Sequence, residues 1–249
     1  MDMLITQISA IVRECGDIVL RADRGNVGVD TKAGHANFVT AYDRQVQQIL
    51  KEKLLQILPE AVFVGEEEDV HASLQDGFAF IVDPIDGTTN FIRDYHVSAI
   101  SVGLIKDGER YIGVVYNPYL DEMFTVKRGE GAYLNGKPIH VSNRTLTDGI
   151  VIFGTAPYYE EYAEESFRLA CDYFRKCVDV RRSGSAALDI CNVAAGRAEL
   201  FFELALSPWD HAAAGLLVEE AGGTVTTMDG KPVRFDTLCS VKATNGVAM

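Results

Sequence analysis

The stretch Phe78-Ala79-Phe80-Ile81-Val82-Asp83-Pro84-Ile85-Asp86-Gly87-Thr88-Thr89-Asn90-Phe91 decides how the chain is read. Its apolar beginning, 78–82, reads as a buried strand that Asp83 terminates. Pro84 fixes its own φ and keeps Asp83 out of the helical region, so the backbone turns sharply there. A tight turn of this kind aims the carboxylates of Asp83 and Asp86 at one point. Acids at a strand end suit hard divalent cations, and the absence of His or Cys beside them favours magnesium over zinc. A solvated turn uses the same residue types, so 83–87 alone is balanced between the two readings. Gly87-Thr88-Thr89-Asn90 shifts the balance. It supplies hydroxyls and, where a helix or turn begins, unpaired backbone N–H groups that form a phosphate cradle. Metal ligands immediately before an anion cradle are what a metal-dependent phosphate enzyme needs.

Working outward toward the N-terminus, Glu66-Glu67-Glu68 follows a short apolar run at 61–64 and forms a second acidic strand end. Three adjacent acids are by themselves an ordinary solvated loop. Further upstream, Leu4, Ile8, Ile11, Val12, Cys15, Ile18 and Val19 recur at helical spacing and predict an amphipathic helix over the first twenty residues. Tyr42, Val46, Ile49, Leu50 and Ile57 predict a second one, from near Thr40 to before Pro59. Thr40-x-x-Asp43 opens it as a capping box. The polar, glycine-containing stretch 25–37 between them reads as a loop.

Toward the C-terminus, strands at 97–105, 111–116 and 122–126 follow in quick succession, separated by Lys106-Asp107-Gly108 and Asn117-Pro118. They predict an antiparallel meander. From Val151 onward, strands (151–153, 200–204, 224–228, 240–243) alternate with helices (162–175, 185–195, 209–220). The chain thus reads as two α/β layers, 1–145 and 146–249, with no linker, repeat or low-complexity tract between them. Asp210 lies at the start of an Ala-rich helix running toward Gly222-Gly223, where an acid also complements the helix dipole. His211 beside it has no Ser or Cys nucleophile to serve and reads as structural. No Gly-x-Ser-x-Gly elbow, P-loop or Gly-x-Gly-x-x-Gly fingerprint is present.

Composition narrows the classes further. Hydrophobic residues make up 47% of the 249 and charged residues 24%, which is globular and excludes disordered and collagen-like chains. No charge-free run approaches the roughly 18–20 residues that span a bilayer, and no signal-peptide pattern opens the chain. A cytoplasmic protein that does not engage membranes is therefore expected. The 36 acidic against 23 basic residues argue against nucleic-acid binding, which depends on Lys and Arg. The five cysteines are odd in number and contain no CxxC pair, as expected of reduced thiols.

With Gly65-Glu66-Glu67 upstream, Asp83-Pro84-Ile85-Asp86-Gly87-Thr88-Thr89-Asn90 in the centre, and Trp209-Asp210 followed by Glu220-Ala221-Gly222-Gly223 downstream, the chain resembles the inositol monophosphatase family over essentially its whole length. The resemblance implies an α+β fold, a layered α-β-α-β-α sandwich with an antiparallel N-terminal sheet and a mixed C-terminal α/β layer. It implies two to three magnesium ions. Glu66, Asp83 and the Ile85 carbonyl would hold the first, and Asp83, Asp86 and Asp210 the second; a weaker third would lean on Glu66. Thr88, backed by Asp43, would orient the attacking water for an in-line displacement. Asp86, Gly87, Thr88, Gly184, Ser185, Ala186, Glu203 and Asp210 would line the substrate, with Glu203 on a ring hydroxyl. Lys32 would sit on a mobile loop. Ser185 stands where many members have Thr. The four acids bring roughly four negative charges, which two divalent ions cancel and a third reverses, so an anionic substrate becomes acceptable to an acidic protein.

The resemblance therefore leads one to expect a magnesium-dependent, lithium-sensitive, homodimeric phosphomonoesterase, with myo-inositol monophosphate the leading substrate. Fructose 1,6-bisphosphate and the 2′-phosphate of NADP are rivals within the fold. 3′-Phosphoadenosine 5′-phosphate is disfavoured by Thr88-Thr89-Asn90. A regulatory protein-binding role in bacterial transcription is the alternative of a different class.

Overall fold

The computed structural model describes residues 3–25, 27–31, 38–67, 74 and 76–247. Helix α1 (Met3–Leu20) buries Ile5, Ile8, Ile11, Val12, Cys15 and Val19 on one face, the stripe that the spacing predicts. Two short strands, β1 (Asp30–Thr31) and β2 (Phe38–Val39), pair antiparallel, so the stretch read as a plain loop carries part of a small ribbon. Helix α2 (Ala41–Ile57) starts at Thr40, whose side chain caps the first turn while Asp43 returns the bond to the Thr40 backbone.

Strands β3 (Val62–Gly65) and β4 (Phe78–Asp86) are followed by the short helix α3 (Thr88–Ile92) and a run of hairpins. These are β5 (Ala99–Lys106), β6 (Glu109–Asn117), β7 (Glu122–Lys127), β8 (Ala132–Leu134) and β9 (Lys137–Ile139). The seven form one sheet in chain order, antiparallel throughout except that β3 and β4 run parallel at its edge. The link 66–77 is too long for a hairpin, and a connection of that length is what lets neighbouring strands run the same way.

The second half supplies β10 (Ile150–Phe153), α4 (Ala163–Phe174), β11 (Asp179–Arg181), α5 (Ala186–Ala194), β12 (Leu200–Leu206), α6 (Pro208–Glu220), β13 (Thr224–Thr226) and β14 (Cys239–Thr244). Its sheet has the order β11-β10-β12-β14-β13; the first three strands are parallel, and β14 runs antiparallel to both neighbours. Strand β11 has no counterpart in the sequence reading. It is three residues long, two of them charged, and shows no apolar run.

Helices α1 and α2 cover the outer face of the seven-stranded sheet, α5 and α6 lie between the two sheets, and α4 covers the far side. The result is the expected α-β-α-β-α sandwich. Helix α6 is buried on nearly every side, from His211 to Val218, as a helix caught between two sheets has to be. Its run Ala212-Ala213-Ala214-Gly215 keeps it thin enough for that slot. One apolar cluster joins Val115 and Phe124 of the first sheet to Ile190, Leu216, Leu217 and Val241 of the second half. Among the described residues no helix is long and apolar enough to cross a membrane, and all five cysteines are free.

Candidate metal and phosphate site

Strand β4 does not stop at Asp83. It pairs with β5 through Asp83 opposite Ser101, shifts register, and resumes at Asp86 opposite Ala99. The expected strand end is therefore a bulge, a device that re-aims side chains beside functional sites. The Pro84 ring has no N–H to give the ladder there, and the Ile85 N–H donates to Asp83 Oδ1 at 3.0 Å instead. The bulge brings Asp83 and Asp86, 2% and 5% exposed, to one side. Asp210 arrives from α6, and oxygens of the three carboxylates lie within 4.8 Å of one another.

Helix starts converge on this point. Gly87, at φ +90°, adopts the left-handed turn that starts α3 and presents Thr88. The Thr88 hydroxyl lies 3.2 Å from both Asp43 Oδ1 and the Ile85 carbonyl oxygen, and can donate to either. Asp43 is fixed from behind by the Thr40 N–H at 2.8 Å and by the Thr40 hydroxyl. The Ser207 N–H donates to Asp210 Oδ2 at 2.7 Å, the capping box of α6. Asp86 caps a helix far along the chain: it accepts the Ser185 hydroxyl and the N–H groups of Ala186 at 3.2 Å and Ala187 at 2.9 Å, at the start of α5. The Ser185 hydroxyl makes that bond directly, so Ser here does what Thr would do.

Crowding shows in the electrostatics. Burial, then the charges of Glu66, Asp86 and Asp210, hold the Asp83 carboxyl well above the usual carboxylate range. Asp210 is raised in the same sense by burial and by Asp86 and Glu66. Asp86 is pushed up to about 6 by burial, against the Ser185 and backbone donors that lower it. Asp43 also reaches about 6, again through burial first. An all-oxygen donor set, mutually repelling and without His or Cys, fits a hard divalent cation.

A cavity of about 410 Å³ opens over the nest and is lined by Glu66, Asp83, Ile85, Asp86 and Asp210 together with Gly87, Thr88, Gly184, Ser185, Ala186 and Glu203. Glu66 follows β3, its N–H donating to the Val82 carbonyl at 3.1 Å, and lies outside the three-acid group while facing the same cavity. Asp43 stands behind Thr88. Lys32 lies outside the described residues. Glu203 sits at a second register shift, in β12 opposite β14, and accepts the Ala156 N–H at 2.8 Å. Burial raises Glu203 to about 7, while that bond and Arg182 oppose the rise.

The sequence reading missed Tyr158 and Arg182, which also line the cavity. Tyr158 follows Ala156, at φ +44°, and Pro157; burial and the charges of Glu66, Asp210, Asp83 and Asp86 suppress its ionisation. An aromatic pair after a proline at a strand end was the available signal. His211 is structural, as read. Burial and the nearby Arg110 push it down to about 3, and neither ring nitrogen has a hydrogen-bond partner among the described residues.

Comparison with known proteins gives a consistent picture. A sequence profile described as the inositol monophosphatase family matches residues 1–248. A protein of Salmonella typhimurium named Nus factor SuhB is 34% identical over 232 residues, 92% of this chain and 87% of its own length. The crystal structure of the extragenic suppressor protein SuhB of Bartonella henselae superposes with a TM-score of 0.91 at 34% identity, covering 98% of this chain and 94% of that one. A staphylococcal IMPase-II solved with inositol monophosphate bound gives a TM-score of 0.80 at 27% identity, over 96% and 88% of the two chains. The same enzyme has been solved with 2′-AMP bound.

Proposed function

We propose, from the premise that this chain belongs to the inositol monophosphatase family, that it is a magnesium-dependent phosphomonoesterase acting on small polyol or sugar phosphates, myo-inositol monophosphate first among them. The observation that carries the reading is the meeting of Asp83 and Asp86, from one bulge, with Asp210, from a helix far along the chain, within 4.8 Å beside the helix start at Thr88.

The roles follow from position. Glu66, Asp83, the Ile85 carbonyl, Asp86 and Asp210 would hold two to three magnesium ions. Bound there, the ions would supply the positive charge that a phosphate needs and Lewis acidity at its oxygens. Thr88 and Asp43 form the proton-handling pair. The Thr88 oxygen can take a proton from an attacking water as the Thr88 hydroxyl proton passes to Asp43 Oδ1, so that the threonine ends neutral and Asp43 holds the proton. The N–H groups at the start of α3 would receive phosphate oxygens. On the far side, Glu203 and the segment Gly184-Ser185-Ala186 receive the ring hydroxyls. Lithium inhibition, a homodimer and a cytoplasmic location accompany this reading.

The test is phosphate release from inositol 1-phosphate, fructose 1,6-bisphosphate and 2′-AMP, each with and without magnesium, using the native chain and Glu203→Ala. Release from inositol 1-phosphate that requires magnesium, with a flattened preference in the variant, is the expected outcome. No magnesium-dependent release from any of the three would overturn the reading. The relatives that bear the name Nus factor SuhB favour a second reading, a regulatory role in transcription. A pull-down from a bacterial lysate that recovers transcription components with the native chain and equally with Asp86→Asn would support it.

A further inference from the structure

A second cavity, of about 510 Å³, opens between the β5–β6 turn, the C-terminal half of α6 and the irregular segment after β13. Arg110 lines it and is 5% exposed. Its Nη1 donates to Glu219 Oε1 at 2.6 Å. The guanidinium carbon lies 5.0 Å from the centre of the Phe235 ring. Helix α6 passes against the group at Gly215, where a Cβ would lie 2.6 Å from Nη2 and 3.0 Å from Nε, so a larger residue would have to displace the arginine. Nε and Nη2 are buried and have no hydrogen-bond partner among the described residues.

Those two nitrogens form the edge of the guanidinium that grips a carboxylate or phosphate through two parallel hydrogen bonds. Arg128 and Arg234 also line the cavity, but each is engaged, with Glu109 at 3.2 Å and Asp236 at 2.8 Å. Three arginines against Glu109, Glu219 and Asp236 leave the cavity without net charge. What remains unsatisfied is a directional pair of donors on a residue whose cavity is also lined by the apolar side chains of Val225, Val233 and Phe235. We propose that this cavity is a second ligand site, taking a small organic oxyanion on Nε and Nη2 of Arg110 with its apolar body against Phe235. Both nitrogens are closed off from solvent, so Phe235, half-buried on an irregular segment and stacked on the guanidinium, swings aside on entry and packs against the ligand instead.

The site touches the first one through its wall. Phe235 and Trp209 pack on the same small cluster of Val64, Ile81 and Ala212, and Trp209 lines the catalytic cavity, as does Leu238. Trp209 is the single tryptophan of the chain, so its fluorescence reports on that wall.

The experiment titrates metal-free protein, whose acidic nest repels anions, with benzoate and separately with phenyl phosphate, read by calorimetry and Trp209 fluorescence. One saturable site is expected, with affinity at least tenfold weaker in Arg110→Lys, which keeps the charge and loses the fork. Because Arg110 is buried, Phe235→Ala is measured in parallel and is expected to weaken binding severalfold with its thermal unfolding intact. Preference between the two probes identifies the oxyanion. Absence of saturable binding for both, or equal binding in native protein and both variants, overturns the proposal. Neither outcome bears on magnesium-dependent phosphate release.

Discussion

Helix α6 joins two charge arrangements of opposite kind. At its N-terminus Asp210 meets Asp83 and Asp86, and among the described residues no lysine or arginine pairs with any of the three. In its last turn Glu219 faces Arg110 at 2.6 Å. The first arrangement is buried charge left for something outside the chain to neutralise. The second is neutralised from within and leaves over only hydrogen-bonding direction. Unbalanced buried charge is expensive to keep, and the proposed function accounts for it by assigning the nest to a cation. Balanced buried charge belongs to the architecture first.

The comparison breaks most sharply at Asp86. Asp86→Asn keeps the shape and an acceptor for the α5 N–H groups but removes a charge from the nest. Magnesium-dependent phosphate release is expected to fall by about 10³-fold or more, since several kcal/mol of transition-state stabilisation is lost. Far-UV circular dichroism should be unchanged. Substantial turnover in the variant would make the nest an architectural feature like the other.

Acidity sharpens the contrast next. Asp86 and Asp43 stand at about 6 and Glu203 at about 7, above the roughly 4 of an unfolded carboxyl. The folded, metal-free chain therefore holds these protons more tightly than the unfolded chain. The stability they contribute is complete below about pH 4 and is lost as the pH rises through 6 to 7. Cations bind the deprotonated carboxylates, so the gap between magnesium-loaded and metal-free melting temperatures should widen from about pH 5 to about pH 7.5. A gap that stays constant across that range would contradict the assignment of the nest.

At the other end of α6, Glu219→Ala removes the partner of a buried guanidinium, and a loss of about 3 kcal/mol in urea unfolding is expected. The double variant Arg110→Met/Glu219→Leu should recover most of that loss, because both charges go together. No recovery would mean that the pair is held for more than its own balance. The smallest effect concerns Thr40→Val, which removes the α2 cap at a cost of about 1 kcal/mol. It also leaves Asp43 less firmly behind Thr88, so phosphate release should drop severalfold while magnesium affinity by calorimetry stays unchanged.

How much of this was legible beforehand varies with sequence distance. The capping box of Thr40 and Asp43, the helix faces of α1 and α2, and the local motif 83–90 were readable because each is fixed by neighbours within a few residues. The order of the hairpins from β5 to β7 followed from their turns, while the three-residue strands β8 and β9 were not read as strands. What stayed hidden was pairing across long gaps. The clamp of Asp86 on Ser185, Ala186 and Ala187 joins segments roughly a hundred residues apart. No local pattern announces it, although the family resemblance placed both ends at one site. The parallel β3–β4 edge and the three-residue β11 depend on crossovers and on a neighbour already in place. Arg110 stands just ahead of the expected strand 111–116 with no local signal of its own, and only the packing of Gly215 and Phe235 around it shows that half of its fork is idle.

The slot occupied by β14 bears on the order of events during synthesis. Cys239–Thr244 lies between β12 and β13, both of which leave the ribosome earlier. Until it emerges, those two strands present bare backbone to each other and to any passing chain, the usual hazard of an unpaired edge. Val241, directly across from Glu203, is among the last pieces set down. A nascent chain can therefore bring Asp83, Asp86 and Asp210 together before the wall that carries Glu203 is complete.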